Sequence, residues 1–238
     1  MTKTQILAML KDNQNERGIN HWKRREADRS GLRSFGIGLT QLRKLARQTG
    51  RNHKLARQLW ESDVYDARVF SLLIDDPKQL SREQAEQQVE RLNAGQLSHV
   101  FSSCDATLAK TPFAFEIACD WIEHKDDIRR RCGYGLLYEL SKKKIRGMDD
   151  DWLLARIDHI QKTIQGEEMW VREAMNGALM GIGKRNRKLN TAAIRAARAI
   201  GPVDVDYGDD NSCEPLDVIK HLTSDSLQKR LAGQQPSG

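Results

Sequence analysis

The sequence predicts an all-α protein built as an α-α solenoid, and three observations favour this class. Charged residues make up 30% of the 238-residue chain and aromatic residues only 6%, which is typical of helices with charged surfaces. Apolar residues recur at three- and four-residue steps along most of the chain, as they do on one face of a helix. The breaks between these segments are short, and no alternation of β type precedes residues 203–205.

The predicted helices follow one another from the N-terminus to residue 200. A helix is predicted over residues 4–11, and a second one, containing Ile19 and Trp22, crosses a basic segment. Residues 34–38 include two glycines and predict a turn, and Thr40 is predicted to be the N-cap of the next helix. Further helices are predicted over residues 54–60, 64–74, 82–92, 97–109, 113–124, 128–141, 151–164, 170–182 and 191–200.

A weak internal repeat indicates how these helices are arranged. Residues 64–68, 127–131 and 169–172 each place an arginine early in a helix, and an apolar helical run follows each time. Helix pairs of about 40 residues repeated without strands are typical of HEAT-like solenoids, which are ARM-repeat-type superhelices. We therefore predict a HEAT-like domain over residues 1–200, with its second helices lining a concave face. Residues 201–238 form a C-terminal extension, whose tail after residue 221 is predicted to be disordered.

The charge distribution predicts an anionic partner. The formal net charge is +6, but residues 15–58 alone hold twelve lysines and arginines against three acidic residues. Further basic clusters lie at residues 129–131, 142–146 and 184–188, whereas residues 204–217 are acidic. A basic concave surface suits a polyanion such as nucleic acid. Composition alone is equally compatible with charge that only keeps helix faces soluble.

Several classes are disfavoured by what the sequence lacks. No apolar run approaches the roughly 20 residues of a membrane span, and residues 1–14 lack the apolar block of a signal peptide, so a cytoplasmic protein without a membrane partner is predicted. The four cysteines form no CxxC pair and the six histidines no HExxH motif, so no metal site is expected. Residues 177–184 (GALMGIGK) depart from the phosphate-loop pattern at Ala178 and Arg185. Close helix packing through small residues is predicted there instead.

Asp105 is the main candidate for chemistry. It lies within the predicted helix 97–109, on or beside the stripe formed by Leu97, Val100, Phe101, Cys104 and Leu108. A carboxylate on an inward face is costly unless it is paired. Arg131, on a second inner helix, is the expected partner. The pair is interpreted either as a salt bridge between two repeats or as a carboxylate directed into a basic groove.

At these residues the sequence resembles the DNA alkylation repair family, the AlkD-type HEAT-like DNA glycosylases. The resemblance covers roughly residues 15 to 200, and its landmarks occur in the order of the family. They are Phe35-Gly36-Ile37, Leu59-Trp60, residues 100–105 in place of the Trp-Asp-x-x-Asp segment, residues 127–131, and residues 170–174.

The resemblance implies a function as well as a fold. In that family, double-stranded DNA is bound on the concave face, and N3- or N7-alkylated purines are released without full base flipping and without metal or cofactor. By this resemblance Asp105 is the catalytic carboxylate. The resemblance and the basic clusters together predict a protein that acts as a monomer. They also predict that six residues contact DNA or the lesion: Phe101, Arg131, Trp170, Arg172, Lys184 and Arg185.

The sequence departs from the family at two aromatic positions. Active members flank the carboxylate with tryptophans, whereas this chain has Phe101 and Gly177 at those places. Two alternatives to a glycosylase therefore stay open. One is a catalytically inactive HEAT-like protein that binds DNA structures, and the other is a solenoid that binds proteins.

Overall fold

The computed structural model describes residues 1–25, 31–92, 96–207 and 214–233. Within these ranges the chain forms fourteen α-helices and no β-strand, apart from an isolated parallel bridge between Arg33 and Val64. The helices are α1 (Lys3–Asp12), α2 (Glu16–Arg25), α3 (Leu39–Thr49), α4 (His53–Trp60), α5 (Tyr65–Ile74), α6 (Arg82–Val89), α7 (Gln96–Ser102), α8 (Ala114–Ile122), α9 (Asp127–Leu140), α10 (Asp150–Thr163), α11 (Met169–Gly183), α12 (Arg187–Ile200), α13 (Val218–Leu222) and α14 (Asp225–Ala232). Short 3-10 turns lie at Leu108–Lys110 and Ile164–Gly166.

The architecture confirms the predicted all-α, HEAT-like solenoid class. The chain divides into two compact units, Met1–Phe113 and Ala114–Gly238. In each unit, neighbouring helices pack side by side around a central buried helix. Among the described helices, none combines the length and the apolar character required to cross a bilayer.

Helix α5 forms the centre of the Met1–Phe113 unit. Eight of its ten residues are buried, so it is enclosed on all sides, and α1, α3, α4 and α7 pack against it. The buried polar residue in its first turn is Asp66, which is 1% exposed. Its carboxylate accepts hydrogen bonds from the main-chain N–H groups of Phe35 (2.7 Å) and Ile37 (2.8 Å) and from the hydroxyl of Ser34 (2.8 Å). The predicted turn at residues 34–38 is therefore fixed by a residue 29 to 32 positions later.

Gly36, in the middle of that turn, is required by both conformation and space. Its φ of 68° lies in the left-handed region, which glycine adopts at little cost. A Cβ at this position would collide with the main chain of Asn15 and Ile19. The N-terminus of α2 consequently lies directly against the turn, where the N–H of Asn15 donates to the carbonyl of Phe35 (2.8 Å).

Helix α9 forms the centre of the Ala114–Gly238 unit, where it packs between α8 and α11. Small residues permit these close approaches. A Cβ on Gly133 would lie 2.7 Å from the main-chain nitrogen of Ile122 in α8, and one on Gly181 would lie 2.5 Å from the hydroxyl oxygen of Ser141. The predicted close helix packing within residues 177–184 is confirmed, since these residues belong to α11 and its C-cap and Gly181 lies against Ser141.

Three local predictions are wrong. The helix expected over residues 97–109 ends at Ser102, because the chain then enters a left-handed turn. Thr40 is not an N-cap, since α3 begins at Leu39 with Gly38 as its N-cap. The tail expected to be disordered after residue 221 contains α14, which buries Leu227 and Leu231 on one face. Cys213 and residues 234–238 lie outside the described residues.

We expect Asp66→Ala to lower the free energy of unfolding by about 3 kcal/mol, because two buried N–H groups and one hydroxyl lose their acceptor. Urea unfolding followed by circular dichroism measures this loss. The matched control is Asp63→Ala, which removes an exposed carboxylate paired with Arg33 and should cost less than about 1 kcal/mol. Equal losses in the two variants would contradict the structural role of Asp66.

Candidate nucleic-acid interface

Asp105 lies in a turn that directs its carboxylate towards solvent. Cys104 has a φ of 54° and Asp105 a φ of 67°, so two consecutive residues other than glycine adopt the left-handed conformation, which is uncommon. The Asp105 side chain is 83% exposed, and its Oδ1 lies 2.9 Å from the Nζ of Lys110. The expectation that Asp105 belongs to a buried helical stripe is therefore wrong, because the helix ends before it.

Contacts within the same unit hold this turn in place. The main-chain N–H of Ser103 donates to the carbonyl of His99 (2.8 Å), and the Sγ of Cys104 lies 2.6 Å from the Nε2 of His99. The Nη2 of Arg43 donates to the carbonyl of Cys104 (3.1 Å). Strained backbone persists only where the surroundings fix it, and such places are often functional sites. The turn thus presents an acidic side chain from a defined position.

Phe101 is a core residue. It is 2% exposed and borders a small internal cavity together with Leu72 and Leu108. Its ring was predicted to contact DNA or the lesion, but a ring enclosed in this way presents no face to a ligand outside the protein. The apolar pattern of residues 97–101 did predict its inward direction.

Arg131 and Trp170, two of the residues predicted to bind DNA, are brought together at the first turns of α9 and α11. The guanidinium carbon of Arg131 lies 5.2 Å from the centroid of the Trp170 ring, within the range of a cation–π contact. Arg131 is only 5% exposed, whereas Trp170 is partly exposed. The ring of Trp170 also meets Tyr207 edge to face, with centroids 6.0 Å apart.

Glu173 completes this cluster and was not identified by sequence reasoning. Its Oε2 lies 3.8 Å from the Nη2 of Arg131. Burial raises the pKa of Glu173 above its ordinary value, although Arg131 and a hydrogen bond with Tyr207 oppose that rise. The signal was available, because Glu173 follows Trp170 by three residues and such residues share one helix face. We call Arg131, Trp170, Glu173 and Tyr207 the tryptophan cluster.

Arg172 directly precedes Glu173 in the sequence, and its side chain is half-buried. Its Nε is buried and finds no hydrogen-bond acceptor among the described residues. A buried guanidinium N–H without a partner is uncommon, since its desolvation costs free energy. Because this atom is buried, it presents no N–H to a ligand outside the protein.

Lys184 and Arg185 lie at the other end of α11. Trp170 and Lys184 are about 21 Å apart along the helix axis, given the rise per residue of an α-helix. The Nη1 of Arg185 donates to the carbonyls of Ser141 (2.9 Å) and Lys143 (2.5 Å). Burial, and then the nearby charges of Lys142 and Arg230, lower the pKa of Lys184. These two residues are therefore separate from the tryptophan cluster.

The succession of helices and their packing around a buried central helix in each unit define an all-α HEAT-like repeat protein. The chain belongs to the DNA alkylation repair enzyme family, since the family model with that description matches residues 6–205. The resemblance found in the sequence is thereby confirmed. Among the described residues, no group of three or more histidine, cysteine or acidic side chains is placed to hold a metal ion.

Known proteins similar to this chain include two uncharacterized bacterial ones. A protein of Listeria innocua is 28% identical over 193 residues, which cover 79% of this chain and 81% of that protein. A protein of Listeria monocytogenes is 27% identical over 192 residues, with the same two coverages. A solved structure, described as a new family of proteins related to the HEAT-like repeat DNA glycosylases with affinity for branched DNA structures, matches with a TM-score of 0.77. It is 22% identical, and the match covers 98% of this chain and 94% of that one, which establishes the fold.

We expect the tryptophan cluster to make stability depend on pH through Glu173. Because the pKa of Glu173 is raised from 4.5 in the folded protein, the folded state binds more protons than the unfolded chain between these two pKa values. The free energy of unfolding should therefore fall as pH rises through that interval.

Glu173→Gln has no proton to lose at this position, so its free energy of unfolding should lack this fall. Urea unfolding of both proteins at a series of pH values above 4.5 measures the difference. A difference in unfolding free energy that stays constant with pH would contradict the assigned pKa rise.

Proposed function

We propose that this protein binds double-stranded DNA and hydrolyses the N-glycosidic bond of N3- or N7-alkylated purines, with Asp105 as the catalytic carboxylate. The observation that carries the proposal is the strained turn at Cys104 and Asp105, which directs a carboxylate towards solvent. Membership in the DNA alkylation repair enzyme family supports it. Such a protein would act on DNA in the cytoplasm, as a monomer and without a metal or cofactor.

Hydrolysis of the N-glycosidic bond of an alkylated purine requires little more than a negative charge held near the sugar. An alkylated purine carries a positive charge, so it leaves as a neutral base once the bond between its nitrogen and the sugar carbon C1′ breaks. Positive charge then develops on the sugar, where a fixed carboxylate stabilises it. Water forms the new bond to C1′ and releases its proton to solvent. In this proposal Asp105 stabilises the sugar cation and orients the water.

The tryptophan cluster supplies the proposed contact with DNA in the Ala114–Gly238 unit. Trp170 and Tyr207 are its partly exposed aromatic members, whereas Arg131 is buried beside Trp170. We assign the contact with DNA to the ring of Trp170. Arg131 acts as a positioning residue, because its guanidinium is shared between the Trp170 ring and Glu173. Phe101 has no part in this surface.

A second candidate function is binding of branched DNA without catalysis. Two observations favour it. Phe101 is buried, and Gly177, at the other position where the family's active members carry tryptophan, supplies no ring. The structural neighbour described as having affinity for branched DNA also supports this candidate.

The two candidates differ in what Asp105→Asn does. If the protein is a glycosylase, we expect this variant to release 7-methylguanine and 3-methyladenine from methylated duplex about 100-fold more slowly, because the stabilising charge is lost. Its affinity for duplex should be unchanged. Chromatography of the released bases measures the rate.

Asp158→Asn is the matched control, since Asp158 is an exposed aspartate that also pairs with a lysine. It should retain the wild-type rate. Absence of base release by the wild-type protein, together with retained DNA binding, would reject the glycosylase and favour the second candidate.

Gly177→Trp tests the missing aromatic directly. A Cβ at Gly177 meets no atom within 4 Å, so a side chain can begin at this position without a clash at its first carbon. We expect this variant to bind methylated duplex about tenfold more tightly, in line with the stacking of one base on an aromatic ring. Fluorescence anisotropy measures the affinity.

Gly177→Ala is the control for this variant, because it changes helix propensity without adding a ring. If Gly177→Trp and Gly177→Ala bind DNA equally, Gly177 does not face the DNA.

A further inference from the structure

A second basic feature of the Ala114–Gly238 unit lies where α9 and α11 end. It is an open cleft of about 1360 Å³, which we call the C-terminal cleft. Six segments form its wall: the end of α9, the loop at residues 142–145, the start of α10, the end of α11, the start of α12, and α14. Eight lysine and arginine side chains line the cleft, whereas its one acidic lining residue is Asp150.

The acidic lining residue is already engaged. Both carboxylate oxygens of Asp150 accept from the Nδ2 of Asn186, at 3.0 and 2.8 Å. The Oδ1 of Asn186 in turn accepts from the main-chain N–H of Leu189 (3.0 Å) and caps α12. Asp150 therefore orients a helix cap, and within the described part of the chain it forms no ion pair with the surrounding lysines.

Three cations of the cleft have neither a carboxylate nor a carbonyl partner for their side chains among the described residues: Lys144, Lys184 and Arg187. Lys142 and Lys188, by contrast, pair with Glu139 (2.9 Å) and Asp151 (3.1 Å). Uncompensated cations brought together in one concavity create a positive potential that attracts anions. The lowered pKa of Lys184, caused by burial and by the charges of Lys142 and Arg230, agrees with this crowding.

The wall of the cleft is built from fixed contacts. Arg185 bridges the carbonyls of Ser141 and Lys143, and the Nη2 of Arg230 in α14 donates to the carbonyl of Lys184 (2.6 Å). A carbonyl acceptor does not neutralise a guanidinium, which keeps its full charge. Both arginines therefore join segments of the wall while adding positive charge to it.

We propose that the C-terminal cleft binds the phosphodiester backbone of DNA, and that α14, which lies outside residues 6–205 matched by the family model, completes it. The proposal rests on the proposed DNA binding. An open cleft of this volume exceeds the usual pocket for a small ligand. Duplex DNA carries a charge about every 1.7 Å along its axis, so several phosphates can meet the three unpaired cations.

The bound backbone can come from two sources. It can belong to the duplex that contacts Trp170, continued along the surface for about 21 Å, the axial distance given by the rise of α11. It can equally belong to a second arm of a branched DNA. Binding to a linear duplex and to a four-way junction separates these sources.

The test is a triple variant, Lys144→Gln with Lys184→Gln and Arg187→Gln. We expect its salt dependence of DNA affinity to weaken, the slope of log K against log salt changing by about 3. The control triple, Arg195→Gln with Lys220→Gln and Lys229→Gln, removes the same charge from exposed positions of the same unit outside the cleft. It should retain the wild-type slope, and thermal melting should show all three proteins folded.

Each outcome decides the proposal. If the triple variant shows a weaker salt dependence on both the linear duplex and the junction, the cleft binds the backbone of a continuous duplex. If the salt dependence weakens on the junction alone, the cleft binds a second arm of the branched DNA. A wild-type slope in the triple variant, or an equal loss in the control, overturns the cleft while DNA binding by the wild type still stands. A wild-type protein that binds neither DNA form at low salt overturns the proposed function and the cleft with it.

Discussion

The first turn of α5 is the point on which the Met1–Phe113 unit depends. Asp66 fixes the turn at residues 34–37 through three hydrogen bonds, and that turn supports α2 through Asn15. The adjacent Tyr65 accepts a hydrogen bond at its hydroxyl from the N–H of Leu97 (2.9 Å) and so anchors the start of α7. Because α7 leads into the turn that bears Asp105, one buried helix end determines both the loop before it and the candidate catalytic residue after it.

In the Ala114–Gly238 unit, the two proposed DNA-binding features lie at opposite ends of one helix pair. Arg131, Trp170 and Glu173 of the tryptophan cluster lie near the starts of α9 and α11, and the ends of both helices border the C-terminal cleft. The middle of the pair is devoted to packing, and Gly181 brings α11 against Tyr138 and Ser141. This division explains why residues predicted to bind DNA and residues predicted to pack helices both occur within the fifteen residues of α11.

The sequence predicted the helices well because apolar spacing is a local signal, and it failed where tertiary contacts decide. Residues 97–109 show helical spacing throughout, yet Leu108 reaches the core from a 3-10 turn and the chain reverses at Cys104 without a glycine. Contacts with His99 and Arg43 stabilise that reversal. Helix α14 was missed because two leucines, Leu227 and Leu231, form too short a pattern to stand out. The contact of Arg131 in α9 with Trp170 and Glu173 in α11 could not be predicted, because it depends on how these two helices pack.

The glycine at the contact between α9 and α11 has a mechanical consequence. Since even one methyl group at Gly181 would press on Ser141 and Tyr138, the two helices interlock and resist sliding past each other. The distance between the two ends of the helix pair is therefore fixed. If one duplex contacts both ends, as the proposed function allows, it must bend to match that distance, and its bending stiffness, which varies with base sequence, then affects the affinity. The protein would then sense how easily DNA deforms, without reading a single base edge.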